Sequence, residues 1–283
     1  MSDNRLTIVS AASVSLEAYA AAFTSAFRGY QHPVEHDAAS LARRVRVEQY
    51  DLENSLLAYD GGGEVAGVAA LAVRGERGWV AGLAVVPEQR GRGRGRELTS
   101  ALVARARAAG LRRLSLEVLT PNTAARRLYE WAGMRVTRDL LVLERPAKQA
   151  ADAPRRGPAL KHAPKEAPSD ELLRHFARLH PEPPAWQREP ASLLAADLRG
   201  LYVGGRKRPS AYALLRRGQD GVGFIFDLAA ADAARAEGVC AVLDGVPCAL
   251  RIVNEPERSP FVAPLLGHGF AETLRQHEMT MEL

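Results

Sequence analysis

Residues 88–98 read EQRGRGRGREL, from Glu88 to Leu98, and the residues on either side determine how that run is understood. Upstream, Trp79-Val80-Ala81-Gly82-Leu83-Ala84-Val85-Val86 is apolar and partly β-branched, as in a buried strand, and Pro87 closes it. Downstream, Leu98, Ala101, Leu102, Arg105 and Ala109 recur at helical intervals, with Gly110 as a stop signal. A glycine-rich turn that opens a helix presents unpaired backbone N–H groups at the positive end of the helix dipole, where phosphate oxygens bind. A plain linker or a disordered RNA-binding arginine–glycine segment would have polar, aperiodic flanks instead. Neither common nucleotide fingerprint applies. The form G-x-x-x-x-G-K-[ST] lacks its closing Lys-Ser or Lys-Thr, and in G-x-G-x-x-G begun at Gly91 the third glycine falls on Arg96. What remains is Arg90-x-x-Gly93-x-Gly95, a tighter cradle.

Composition sets outer limits. A chain of 283 residues is comfortable for two domains, and 47% hydrophobic with 25% charged residues is ordinary for a soluble globular protein. The net charge of +5 and pI near 9.5 are mildly basic, but the arginines are interleaved with Asp and Glu, as on a solvated surface rather than a nucleic-acid stripe. Cys240 and Cys248 have neither metal-type spacing nor a disulfide framework. No secretory apolar region opens the chain and no apolar run approaches a membrane span. The expectation is a cytoplasmic protein with no metal, no nucleic-acid partner and no membrane partner.

Along the chain the patterns predict a strand at 5–9, a helix at 15–27 capped by Ser13 or Ser15, and a second helix at 38–49. A hairpin at 55–59 and 65–73 across Gly61-Gly62-Gly63 follows, then the strand 79–86, the turn, and a helix at 95–109. A strand at 113–119, a helix at 122–131 and an extended segment at 135–143 complete the order βααβββαβαβ. That is an α/β fold, a central mixed sheet flanked by helices, with its ligand site at the carboxyl end of a central strand. Prolines at 146, 154, 158, 164 and 168 mark 146–168 as a linker. Beyond it the pattern recurs in worn form: a hairpin at 201–204 and 211–215, strands at 222–228 and 249–253, and Leu265–Phe270 echoing 128–134, with 277–283 closing the sheet. The domains expected are 1–145 and 169–283. Where the first half has Arg90 to Gly95, the second has Ala230 to Ala236 with no glycine and with Asp232, and Leu265 replaces Tyr129.

Three motifs at matching separations carry a family resemblance over roughly residues 5–145: the strand and turn from Leu83 to Arg96; Leu116-Glu117-Val118 followed by Asn122-Thr123-Ala124-Ala125-Arg126-Arg127-Leu128-Tyr129; and the closing Gly133-Met134. Together they resemble the GCN5-related N-acetyltransferase (GNAT) superfamily, here in tandem with a degenerate second GNAT-like domain. The resemblance implies that Leu83, Ala84 and Val85 splay from the neighbouring strand and bind the pantetheine of acetyl-CoA as a pseudo-strand. It implies that Arg90, Gly91, Arg92, Gly93, Arg94, Gly95 and Arg96 hold the pyrophosphate, with Gly93 and Gly95 required because a Cβ would block close approach. Asn122 is the implied side-chain contact to the CoA arm, and it also suits an N-cap.

The implied catalytic residues are Glu117 as base and Tyr129 as the acid for the leaving thiolate, with a backbone N–H at or near Val85 polarising the thioester carbonyl. For Glu117 the alternative is a carboxylate on an exposed strand face, and for Tyr129 a half-buried packing residue. Tyr30, His32, His36 and Asp37 lie in the loop expected to wall the acceptor cleft, without an assigned catalytic role. The opposite wall is open between the second domain and the terminal carboxylate of Leu283. The function expected is acyl-CoA-dependent N-acetyl transfer from acetyl-CoA to a primary amine, on a small molecule or a protein, in a ternary complex and by a monomer or homodimer. The alternative is a non-catalytic acyl-CoA-binding sensor or interaction protein, which would need neither Glu117 nor Tyr129.

Overall fold

A strand, Arg77–Val85, and a helix, Arg94–Ala108, flank the glycine turn in the computed structural model, which describes residues 5–30, 35–147, 165–180, 182–218 and 221–283. The chain divides into two compact units, Met1–Thr137 with His277–Leu283, and Arg138–Gln276. The first contains β1 (Thr7–Ser10), α1 (Leu16–Ala26), α2 (Ala38–Glu48), β2 (Leu56–Tyr59), β3 (Val65–Arg74), β4 (Arg77–Val85), α3 (Arg94–Ala108), β5 (Arg113–Leu119) and α4 (Thr123–Trp131). The strand β6 (Arg135–Arg145) leads into the second unit, where β7 (Lys165–Pro168), α5 (Ser169–Leu173), α6 (Phe176–Leu179), α7 (Pro190–Ala195), β8 (Arg199–Gly205), β9 (Arg208–Arg217), β10 (Gly223–Ala230), α8 (Ala233–Leu243), β11 (Leu250–Pro256) and α9 (Val262–Gly267) follow. The last strand, β12 (Ala271–Glu282), returns to the first unit. Among the described residues no helix is long and apolar enough to cross a membrane.

In the first unit the sheet order is β1-β2-β3-β4-β5-β12, antiparallel from β1 to β4 and parallel between β4 and β5. Ser15 caps α1 by accepting from the Ala18 N–H, and the helix buries Tyr19, Ala20, Ala22, Phe23 and Ala26 on one stripe. On α3 the buried stripe is Leu98, Leu102 and Ala106, while Arg105 and Ala109 are exposed. The core joins that stripe to Leu56, Ala69, Leu71, Leu114, Leu116 and Val118. Close approach depends on glycine at Gly78, where an added Cβ would lie 2.6 Å from Leu114, 2.8 Å from Leu111 and 3.2 Å from Leu71. Gly78→Ala is therefore expected to destabilise the protein by about 1–3 kcal/mol in denaturant titration, the cost of overpacking a filled core.

The second unit repeats the plan in the order β6-β11-β10-β9-β8-β7, with β10 and β11 parallel. Gly223 faces Leu250 as Gly78 faces Leu114, and a Cβ on Gly223 would lie 2.6 Å from the Leu250 side chain. Two boundaries differ from the sequence reading. Residues 277–283 complete the first unit rather than the second, because Met279 and Met281 enter its core beside Leu111, Leu114 and Met134. Conversely, Arg138 onward belongs to the second unit, whose core takes in Leu141 and Leu143. Of the proposed linker, 148–164 lies outside the described residues, whereas Lys165–Pro168 is an edge strand paired with β8, a place where proline is tolerated. The short helices α5, α6 and α7 carry too few turns to show a period in sequence.

Candidate functional site

The pairing of β4 with β5 ends at Trp79↔Ser115, whereas its pairing with β3 continues to Gly67↔Val85. Beyond Trp79, then, β4 keeps one partner and parts from the other. The cleft of about 510 Å³ at this splay is lined by Leu83, Ala84 and Val85, by Arg90, Gly91, Gly93, Arg94 and Gly95, and by Pro121, Asn122, Leu128 and Tyr129. Ala26, Phe27, Gly29 and Tyr30, at the end of α1, form a further wall.

Gly91 and Gly93 have φ of 75° and 80°, the left-handed region that disfavours any residue with a Cβ. A Cβ at either would meet no protein atom, so backbone conformation rather than crowding within the chain requires glycine there. Gly95 differs, since its added Cβ would lie 3.2 Å from Leu128, which itself lines the cleft. The backbone N–H groups of Gly91, Arg92, Gly93 and Gly95 have no hydrogen-bond partner among the described residues. They gather at the start of a 15-residue helix, where the dipole favours an anion. Arg90 turns its guanidinium to main-chain carbonyls, Val85 at 2.9 Å, Arg28 at 2.9 Å and Ala26 at 3.2 Å. It thereby locks the turn to the end of β4 and to the C-terminal carbonyls of α1, which lack helical partners. Arg92 and Arg96 are exposed and do not line the cleft.

Asn122 caps α4 by accepting from the Ala125 N–H at 3.1 Å and lines the cleft. Tyr129, two turns further along α4, is buried, and its hydroxyl has no hydrogen-bond partner among the described residues. Burial, and to a smaller degree Tyr30, push the phenol pKa well above its ordinary value. Glu117 is not part of the cleft lining. Its neighbours Leu116 and Val118 enter the core under α3, so period-2 alternation turns Glu117 to the opposite face. There it is half-buried and accepts from the Trp79 indole N–H at 2.7 Å.

His36 is half-buried against Phe23, with ring centroids 5.3 Å apart, and its ring nitrogens approach Ser40 and Arg44. Burial first, and Arg44 second, lower its pKa, so it is neutral at physiological pH. Asp37 forms a capping box with Ser40 at the start of α2. His32 lies outside the described residues. The Leu283 N–H bonds the Arg112 carbonyl at the start of β5, so the chain end lies at the opposite end of that strand from the cleft.

The corresponding splay of the second unit is filled. Pairing of β10 with β11 stops at Ile225↔Ile252, and Arg188 occupies the gap beyond. Its guanidinium reaches Glu255 and the Asn254 carbonyl on one strand, and Asp227 at 3.2 Å on the other. Asp227 also bonds Tyr212 at 3.0 Å and His180 at 3.1 Å. Burial alone would lower the Arg188 pKa, but the carboxylates of Glu255 and Asp227 more than offset it and the group stays charged. The space left there is about 90 Å³. In place of the glycine turn, Asp232 caps α8 through the Arg235 N–H.

A parted strand edge, a turn of unpartnered main-chain N–H groups and a buried tyrosine thus meet in one cleft. Residues 17–134 match the model of the acetyltransferase (GNAT) family. Among curated proteins no sequence matches. The fold is similar to that of a GCN5-related N-acetyltransferase from Sphaerobacter thermophilus, at 17% identity and a TM-score of 0.70 over 100% of this chain and 97% of that one. It is also similar to a tandem GNAT protein from the clavulanic acid biosynthesis pathway, at 15% identity and a TM-score of 0.66 over 98% of both chains. A putative acetyltransferase from Pyrococcus horikoshii gives 16% identity and 0.67 over 98% of this chain and 89% of that one.

Proposed function

We propose that the chain is an acetyl-CoA-dependent N-acetyltransferase acting on a primary amine, with its chemistry in the first unit and a second, duplicated unit that has lost its cofactor site. The observation that carries this reading is the cleft shared by the parted edge of β4, the N–H groups of the turn, and Tyr129. Acetyl-CoA bound there would supply the activated acetyl group. Leu83, Ala84 and Val85 bind its amide arm along their edge, Gly91 to Gly95 bind the pyrophosphate through main-chain N–H groups, and Asn122 contacts the arm.

The amine attacks the thioester carbon directly in a ternary complex, forming the C–N bond as the C–S bond breaks. An amine of pKa about 10 must first lose a proton, at a cost of about 4 kcal/mol at neutral pH. Glu117 takes that proton, directly or through water, from the face of the sheet opposite α3. A backbone N–H at or near Val85 polarises the carbonyl, an effect worth about 3 kcal/mol, and the Tyr129 hydroxyl donates a hydrogen bond to the sulfur as charge develops there, water supplying the proton to the leaving thiolate.

The test is thiol release from acetyl-CoA across a panel of polyamines, amino acids, amine-bearing drugs and peptide amino termini, with one CoA bound per chain by calorimetry. Binding without turnover against the whole panel would instead favour a sensor. Glu117→Gln is expected to remove the acidic limb of the kcat/KM profile; an unchanged profile would move the base role to solvent.

A further inference from the structure

The cleft of the first unit runs between β4 and β5 from the glycine turn toward the point where the two strands meet at Trp79↔Ser115. A ligand whose phosphates sit on the turn therefore sends its far end inward along β4, past Val85 and Leu83 toward Gly82. Gly82 does not face the same way as Val80. Pairing with β3 passes from Ala70↔Gly82 to Leu71↔Val80, and this register break turns the strand over. Val80 thus enters the core with Leu98 and Leu102 of α3, whereas Gly82 lies against aromatic rings from α1 and its end. A Cβ on Gly82 would stand 2.7 Å from Phe23 Cζ and 3.3 Å from Phe27 Cζ, so the rings come closer to the strand than a side chain there would permit. Phe23 is buried, while Phe27 and Tyr30 line the cleft. Phe27 is held on every side. Its ring stacks on Phe23 with centroids 4.9 Å apart and meets Tyr30 edge-on at 5.4 Å. Its carbonyl accepts from the Tyr30 N–H at 3.0 Å, and Arg90 donates to the carbonyls of Ala26 and Arg28 on either side of it. The arginine that anchors the turn therefore also fixes this aromatic wall.

We propose that Phe27, buttressed by Phe23 and Tyr30, limits the length of the acyl group: its ring closes the inner end of the cleft over Gly82, so that an acetyl group is admitted and a butyryl group is not. This rests on the acyl-CoA reading of the cleft and assigns that site its acyl selectivity. Calorimetric titration with CoA, acetyl-CoA and butyryl-CoA, without an acceptor amine, tests it. Each thioester is compared with CoA, so that any general loss of affinity cancels. Wild type is expected to bind butyryl-CoA roughly 5- to 100-fold more weakly than acetyl-CoA, the consequence of overpacking a closed site. Phe27→Ala should reverse the order, with butyryl-CoA favoured by up to about 15-fold as its extra methylenes are buried. Phe27→Leu keeps an apolar side chain against Phe23 but removes the ring, and should narrow the gap while circular dichroism stays that of wild type. With an amine that is acetylated, kcat/KM for the two thioesters should shift in the same sense. Equal affinity of wild type for the two thioesters, or the same ratio in wild type and both variants, would overturn the gate while leaving the acyl-CoA reading intact. If wild type bound none of the three ligands, that reading would fall and the gate with it.

Discussion

Tyr129→Phe is expected to lower kcat by about 10²- to 10³-fold while leaving CoA affinity nearly unchanged, the signature of an interaction made only in the transition state. The phenol lines the cleft, is buried, and has no hydrogen-bond partner among the described residues, so its donor is available to a bound group. Its pKa is raised, by burial first and Tyr30 second, so the neutral phenol persists throughout the ordinary assay range. A thiol with a pKa of about 8.5 is a stronger acid than this phenol, which makes complete proton transfer to the thiolate uphill. On the proposed reading the side chain would act as a hydrogen-bond donor to the sulfur as charge develops, with water completing the protonation. The sign follows: because the folded-state pKa is above the ordinary value of about 10, Tyr129 contributes no alkaline limb below that pH. Steady-state kinetics with the preferred amine, together with CoA binding, check both halves. A Phe variant with wild-type kcat would reduce Tyr129 to a packing residue.

The turn and its flanks were legible because their signals are local. The strand before the turn, the caps at Ser15 and Asn122, and the stripe on α3 each depend on residues within two helical turns, whereas the positive φ at Gly91 and Gly93 emerges only in the structure. The stripe was still misplaced by a residue, since Arg105 and Ala106 both fit the period and only packing separates them. Arg90 read as a phosphate ligand from its place in the motif, yet its partners Ala26 and Arg28 lie more than sixty positions away, and no pattern announces them. Residues 277–283 showed a strand period, but alternation says nothing about which sheet receives the strand. Glu117 was identified by its motif; its orientation away from α3 follows only once Leu116 and Val118 are seen in the core.

Arg188→Met is expected to destabilise the second unit by about 3–5 kcal/mol, the cost of leaving buried carboxylates without their counter-charge. Nothing in Trp186-Gln187-Arg188 marks this arginine, because its partners Asp227 and Glu255 are 39 and 67 residues away. All three are almost completely buried, so water cannot take over when the guanidinium is removed. The same side chain spans β10 and β11 beyond the point where their pairing ends, and so does for this sheet what a ligand arm would do in the first. Arg188→Lys keeps the charge but not the planar fork that reaches both strands, and an intermediate loss is expected. Combining Arg188→Met with Asp227→Asn and Glu255→Gln should recover much of the stability, because the penalty comes from the uncompensated charges. Denaturant unfolding of the full chain, followed by circular dichroism, measures each step. A loss under about 1 kcal/mol in Arg188→Met would mean that solvent already reaches the two carboxylates, and the arginine would not be what holds the strands.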